Sequence, residues 1–339
     1  MDNLKKVGLT ALAGSLAAVS ANAAEMTVSG ATLLTYTTEH TTETTGNPFG
    51  MKTNLGFTAS GDVNGMTVSY MQTSKDQFAG MSSARLSIDM GDMGILAFDQ
   101  GSGSGLATID DKTPTAAEEI WDGLDGAGAS ATSVGGLVGA AGNSGVFNYI
   151  KSYSGVTLNA AARRGSGTSN SDGASSGTNG NAIDFALTGS GDTMGLGDAL
   201  SWGVGYGEAD AGEQSAATAG VKSDDTHMTA FANYTMGMAT FGYQMSNIDY
   251  GGTGTSAEIA TAWGLALNVN DDLSVSYGER EVEYAKPGAT HVTEDGEGIA
   301  IAYTMGSMKI AGNRNEVASN GGTTGTDDEM TEIAVSFAF

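Results

Sequence analysis

The sequence has 339 residues with 52 Gly, 3 Pro and no Cys, and its formal net charge at pH 7 is −25. The acidic charge argues against nucleic acid as a partner, because binding to phosphates needs a basic surface. The absence of Cys excludes disulfide bonds, thiolate metal sites and cysteine nucleophiles.

The first residues predict a secretory signal peptide over residues 1–23. Lys5 and Lys6 precede an apolar run that ends at Val19, and Ala21-Asn22-Ala23 has the pattern of a cleavage site. The apolar run is too short to span a bilayer as a helix. We therefore expect one mature domain, residues 24–339.

The remainder alternates apolar with small or polar residues in segments of about ten residues, which is typical of strands with two different faces. Glycine destabilises a helix by about 1 kcal/mol relative to alanine, so a glycine-rich chain favours strands over long helices. The pattern predicts sixteen antiparallel strands. They lie near residues 26–38, 49–61, 65–74, 82–90, 93–99, 146–153, 155–164, 182–190, 199–208, 226–236, 238–248, 257–268, 272–284, 297–305, 307–316 and 329–339.

Short turns alternate with longer polar connections along the chain, as an up-and-down barrel requires. The third long connection, residues 99–145, is the largest. An even number of strands and the absence of a membrane-helix apolar stretch predict a transmembrane β-barrel, whose bore would be wide enough for water. The alternative class is a secreted acidic surface or adhesin protein, because strands of a soluble sandwich also alternate.

Together these features resemble the Gram-negative general-diffusion porins, and in particular their alphaproteobacterial branch. The resemblance covers the mature chain and includes the C-terminal Ile333-Ala-Val-Ser-Phe-Ala-Phe339. It implies an all-β, sixteen-stranded antiparallel barrel in the outer membrane, with the long third loop folded into the pore. It also implies a homotrimer, contacts with outer-membrane lipid and lipopolysaccharide, and passive diffusion of ions and small hydrophilic solutes.

The third long connection holds a cluster of carboxylates with one cation, Lys112. Like charges in close proximity attract cations and repel anions, so we expect a weak cation preference. The acidic residues assigned to the constriction are Asp99, Asp110, Asp111, Glu118, Glu119, Asp122 and Asp125. Alternatively, residues 118–125 form a short solvated helix that Trp121 attaches to the wall.

The resemblance implies that basic side chains of the barrel wall face this acidic loop. By position these are Lys52 and Arg85, with Arg163 as a further candidate. Strand parity directs Lys52 and Arg85 into the bore, because apolar residues flank both on the opposite face. A substrate-selective channel of the same fold remains an alternative, for which Phe147, Tyr149 and Tyr153 are the candidates for an aromatic ladder.

We expect no required cofactor and no enzymatic activity. Asp110 and Asp111 are candidates for binding calcium, a cation that takes about 6–8 oxygen ligands. The three histidines fall in or beside predicted loops, without a metalloprotease or nucleophile-elbow motif. These histidines are His40, His227 and His291.

Overall fold

The structure is a computed structural model that describes residues 25–39, 46–74, 80–124, 144–165, 181–210, 224–250, 257–285 and 292–339. The predicted signal peptide, residues 1–23, lies outside the described residues, as do Asp125, His40 and His291.

The described residues form all sixteen predicted strands, whose ends differ from the predicted ones by at most three residues. The strands are β1 (Glu25–Thr38), β2 (Phe49–Val63), β3 (Met66–Ser74), β4 (Met81–Asp89), β5 (Ile95–Gln100), β6 (Ser144–Tyr153), β7 (Val156–Arg164), β8 (Asn181–Ser190), β9 (Leu200–Asp210), β10 (Asp224–Met236), β11 (Ala239–Asp249), β12 (Ala257–Asn268), β13 (Leu273–Ala285), β14 (Glu294–Met305), β15 (Met308–Ala318) and β16 (Asp328–Ala338).

The strands form one closed antiparallel barrel. Each strand pairs with its neighbours in the sequence, and β1 also pairs with β16, with Leu34 opposite Val335. Closure gives every strand two hydrogen-bonded neighbours, so the sheet has no free edge. The predicted fold class is therefore confirmed for the barrel.

Alternation along the strands gives the barrel an apolar face and a polar face. On the apolar face, Ile299 has 58% and Ile333 has 53% of its surface exposed. On the polar face, Asn148 and Gln244 are fully buried. Closure puts one face outside and the other inside, and the exposed apolar side chains occupy the outside.

Tight hairpins with two residues of positive φ close two of the short connections. Asn64 and Gly65 have φ angles of 55° and 81°, and Ser154 and Gly155 have φ angles of 49° and 82°. Two consecutive residues of positive φ match the right-handed twist of the flanking strands, which is why such turns favour Asn and Gly.

The described residues contain no helix that is long and apolar enough to cross a membrane.

The connection between β5 and β6 is the third long one. Its described part, residues 101–124, has a 3-10 helix over Gly105–Thr108 and is otherwise irregular. We call residues 101–124 the third-loop segment.

Candidate functional site

The third-loop segment begins against the polar face of β7 and β8. The N–H of Gly105 donates to Asn159 Oδ1 at 2.8 Å. The N–H of Leu106 donates to Asp184 Oδ1 at 2.9 Å. Leu106 and Ile109 are fully buried. Side chains of the wall thus satisfy backbone donors that would otherwise be buried without a partner.

Further along the third-loop segment, two amide side chains of β10 and β11 form hydrogen bonds with its backbone. Gln244 Nε2 donates to the carbonyls of Ile109 and Asp110 at 2.9 and 3.1 Å. Gln244 Oε1 accepts the N–H of Lys112 at 2.7 Å. Asn233 Nδ2 donates to the Lys112 carbonyl at 2.7 Å. A primary amide both donates and accepts, so Gln244 satisfies a run of irregular backbone that has no strand partner.

Four glycines, side by side in register on β11 to β14, leave room for the middle of the segment. This glycine row consists of Gly242, Gly264, Gly278 and Gly298. A Cβ atom at Gly242 would lie 2.3 Å from Pro114 Cδ, and one at Gly298 would lie 2.8 Å from Ile120 Cβ. The segment therefore packs against bare backbone, which glycine alone provides.

The end of the segment is held on β13 and β15. Asn315 Nδ2 donates to the carbonyls of Glu119 and Asp122 at 3.0 and 2.8 Å. The Trp121 ring lies over the Arg280 guanidinium, 5.6 Å from ring centroid to Cζ. This is a cation–π distance, and it attaches the indole to the wall.

Arg85 and Asp99 form an ion pair at the base of the third-loop segment. Arg85 Nη2 lies 3.1 Å from Asp99 Oδ2, and the Asp99 carboxylate is fully buried. Arg85 also donates to Gly103 O and to Ser104 Oγ. The hydroxyls of Ser102 and Ser104 donate to Asp99. These two residues were expected on opposite sides of the opening, whereas the structure pairs them within one wall.

Asp110, Asp111 and Glu119 are neighbours within the third-loop segment. Burial raises the pKa of Asp111 to about 7, and a hydrogen bond with Glu119 and the charge of Glu119 add to the rise. Burial also raises the pKa of Asp110, although Lys112 opposes this shift. Two carboxyls in contact hold a proton to a higher pH than an isolated one does.

Glu118 and Asp122 lie toward β15 and β2, where they face lysines. Burial raises the pKa of both carboxyls, and neighbouring carboxylates add to the rise. Lys309 opposes the shift at Glu118 and Lys52 opposes the shift at Asp122. The predicted wall cation Lys52 thus lies within electrostatic reach of the third-loop segment.

Lys309 of β15 was not among the predicted wall residues. It shares a strand face with Asn313 and Asn315, which are buried, while Ile310 and Arg314 alternate on the exposed face. The parity rule that selected Lys52 and Arg85 would also have selected Lys309.

Arg163, the further predicted wall cation, shares the polar face of β7 with Asn159. Asp125 lies outside the described residues.

Among the residues that the structure describes, no group of three His, Asp or Glu side chains could hold a metal ion. Calcium binding at Asp110 and Asp111 stays a prediction.

The aromatic residues considered for a ladder in the bore lie on the apolar face. Phe147 is 61% exposed and its ring packs on Phe98, with centroids 5.2 Å apart. Tyr149 and Tyr153 have the same parity as Phe147, whereas the buried Asn148 has the opposite parity. These rings therefore do not line the bore.

Comparison with family models and with curated proteins returns no match. Among solved structures, the chain is similar to an anion-selective porin from Comamonas acidovorans (TM-score 0.62, 12% identity, 94% of this chain and 100% of that chain). It is also similar to in-vitro folded OmpT, an outer membrane protein of Vibrio cholerae, in its trimer form (TM-score 0.64, 12% identity, 94% and 100%). A third similar structure is Salmonella typhi OmpF in complex with daunomycin (TM-score 0.64, 10% identity, 94% and 99%).

These likenesses define the class of fold as the porin barrel. At such low identity they show the fold alone, and the alphaproteobacterial branch stays a prediction.

The glycine row gives a prediction about the docking of the third-loop segment. We expect Gly242→Ala and Gly264→Ala to displace the segment, because the new Cβ would lie 2.3 Å from Pro114 Cδ and 2.6 Å from Pro114 O, respectively. Trypsin should then cleave after Lys112, which should resist cleavage in the parent protein because its backbone is hydrogen-bonded to the wall. Mass spectrometry of the fragments measures this.

The matched control is Gly61→Ala in β2, where an added Cβ has no atom within 4 Å. If the Gly264→Ala variant resists trypsin as well as the control does, the glycine row does not determine where the third-loop segment packs.

Proposed function

We propose that the chain is an outer-membrane porin that forms a water-filled channel for passive diffusion of ions and small hydrophilic solutes. The observation that carries the proposal is the path of the third-loop segment, which contacts the polar face from β7 to β15. One segment reaches strands so far apart round a closed barrel by passing through the interior. It narrows the bore, and its carboxylates lie at the narrow point.

The apolar exterior supports a membrane location over a secreted adhesin. Large side chains such as Ile299 and Ile333 are more than half exposed on the outer face. Soluble monomers rarely expose contiguous apolar patches larger than a few hundred Å². Burying these side chains in lipid removes them from water, so we place the barrel in the outer membrane of a Gram-negative cell.

We infer a weak preference for cations. Carboxylates outnumber cations in the third-loop segment, where Lys112 is the one basic residue. The low-dielectric wall strengthens their field on a passing ion. The similar Comamonas porin is anion-selective, but selectivity depends on individual pore residues and does not transfer at 12% identity.

The remaining parts of the proposal concern assembly and processing. A homotrimer is supported by the trimer form of the similar Vibrio protein. Cleavage after Ala23, contacts with lipid and lipopolysaccharide, and calcium at Asp110 and Asp111 stay predictions. The channel needs no catalytic residue, since solutes move down their own gradients.

Planar-bilayer recording tests the channel and the role of its third loop. The purified protein should produce discrete conductance steps. Replacing residues 107–124 by a short Gly-Ser linker should raise the conductance of each step and weaken the cation preference, because both the obstruction and its carboxylates are removed. Heat-modifiable gel mobility verifies that the variant still forms a barrel. An unchanged conductance would place the segment outside the solute path.

The cation preference should depend on pH near neutrality. Because the pKa of Asp111 is raised to about 7, lowering the pH through that value neutralises a carboxylate that an ordinary aspartate would keep ionised. The cation-to-anion permeability ratio should fall by about twofold between about pH 8 and about pH 6, as expected for the loss of one nearby charge. Reversal potentials across a KCl gradient measure the ratio.

Asp111→Asn serves as the comparison, since it removes the titrating group and should flatten the profile in this range. A profile of the same steepness in that variant would assign the dependence to other groups.

A further inference from the structure

The inner face of the last strand carries a carboxylate, Glu332, close to the carboxylates of the third-loop segment. We propose that Glu332 of β16 is a specificity-determining residue of the channel, and that Lys309 of β15 counteracts it. This inference rests on the proposed channel function and goes beyond the residues that the sequence indicated.

The position of Glu332 follows from the contact between β16 and the third-loop segment. A Cβ atom at Gly123 would lie 2.1 Å from Met330 Cε, and Leu124 packs against Met330. Glu332 is two residues further along β16 on the same strand face, a distance of about 7 Å. The end of the segment therefore lies beside Glu332.

The neighbouring strand supports this position. Asn315 is opposite Met330 in the register of β15 and β16, and Asn313 is opposite Glu332. Asn315 also donates to the carbonyls of Glu119 and Asp122. The segment thus crosses β15 and β16 two residues along the strands from Glu332.

The Glu332 side chain is oriented by β1. Thr37 Oγ1 donates to Glu332 Oε2 at 2.9 Å, and the two residues are opposite each other in the register of β1 and β16. A hydroxyl donor stabilises the ionised carboxylate without cancelling its charge. Glu332 is partly exposed, so its charge is available to a passing ion.

The wall on either side of Glu332 also carries two positive charges, Lys52 and Lys309. One register row crosses four adjacent strands and ends in a lysine on each side. Its members are Lys52 on β2, Leu33 on β1, Ser336 on β16 and Lys309 on β15. The two lysine backbones are therefore separated by three strand spacings, about 14 Å.

β16 lies between the two strands that bear these lysines, and it contributes Glu332 to the same wall. Burial raises the pKa of Glu118 and of Asp122, and the negative charge of Glu332 adds to both shifts. The opening is therefore bordered by one carboxylate of the wall, Glu332, as well as by those of the loop. A cation that passes close to the wall therefore meets an attractive charge between the two lysines.

Bilayer recordings of Glu332→Gln test the proposal, with Glu329→Gln as the matched control. Both variants remove one negative charge from β16. Glu329 has the opposite parity and pairs with the exposed Arg314 at 2.8 Å on the outer face. We expect the cation-to-anion permeability ratio to fall by about twofold in Glu332→Gln at low salt, to rise in Lys309→Gln and to stay unchanged in Glu329→Gln.

An electrostatic role differs from a structural one in its salt dependence. The difference between Glu332→Gln and the parent should shrink toward zero at about 1 M salt, where the Debye length is about 3 Å. Glu332→Asp, which keeps the charge, should retain most of the preference.

The outcomes separate the two proposals. A parent protein that forms no conductance steps would overturn the proposed function. Normal steps with an unchanged permeability ratio in Glu332→Gln, or an equal fall in Glu329→Gln, would overturn the role of Glu332 and leave the channel intact. A change that persists at high salt would assign Glu332 a structural role and would also overturn the proposal.

Discussion

The closed hydrogen-bonded ladder between the first and last strands is the constraint on which the rest of the structure depends. Gly30 and Phe339 exchange two backbone hydrogen bonds of 2.9 Å beyond the last paired residues of the sheet. Closure removes both free edges, and a spanning sheet in lipid has no other way to satisfy its backbone. It also divides every strand into an inner and an outer face, so the strand alternation becomes a difference between interior and exterior.

The interior must then hold a segment that has no strand partner of its own. Irregular backbone inside a barrel needs hydrogen-bond partners, and side chains such as Gln244 and Asn315 supply them from the wall. The glycine row gives the segment space to approach. Glycine within a strand is unfavourable by roughly 0.5–1 kcal/mol relative to alanine, and close packing of the segment offsets that cost. The four glycines of this row therefore have a local structural cause in the packing of the segment on β11 to β14.

The carboxylates of the site differ in the groups that surround their negative charge. Asp99 is buried with Arg85 and serine hydroxyls, so it stabilises the base of the loop and does not face a solute. Burial and the neighbouring Glu119 raise the pKa of Asp111, and the charge of Lys112 offsets only part of this rise. The same residue type is thus ion-paired and hydrogen-bonded at one end of the segment, and lies beside a second carboxylate further along it.

The sequence by itself determined the sixteen strands, their alternation and the position of the long third connection, because these depend on local periodicity and turn chemistry. It also indicated that Lys52 and Arg85 point inward, since strand parity is local. It did not predict the pairing of Arg85 with Asp99, the contact of Pro114 with Gly242, or the position of Lys309 near Glu118. Arg85 and Asp99 are register partners on the adjacent strands β4 and β5, whereas the other two contacts join residues distant in sequence that only the folded barrel brings together.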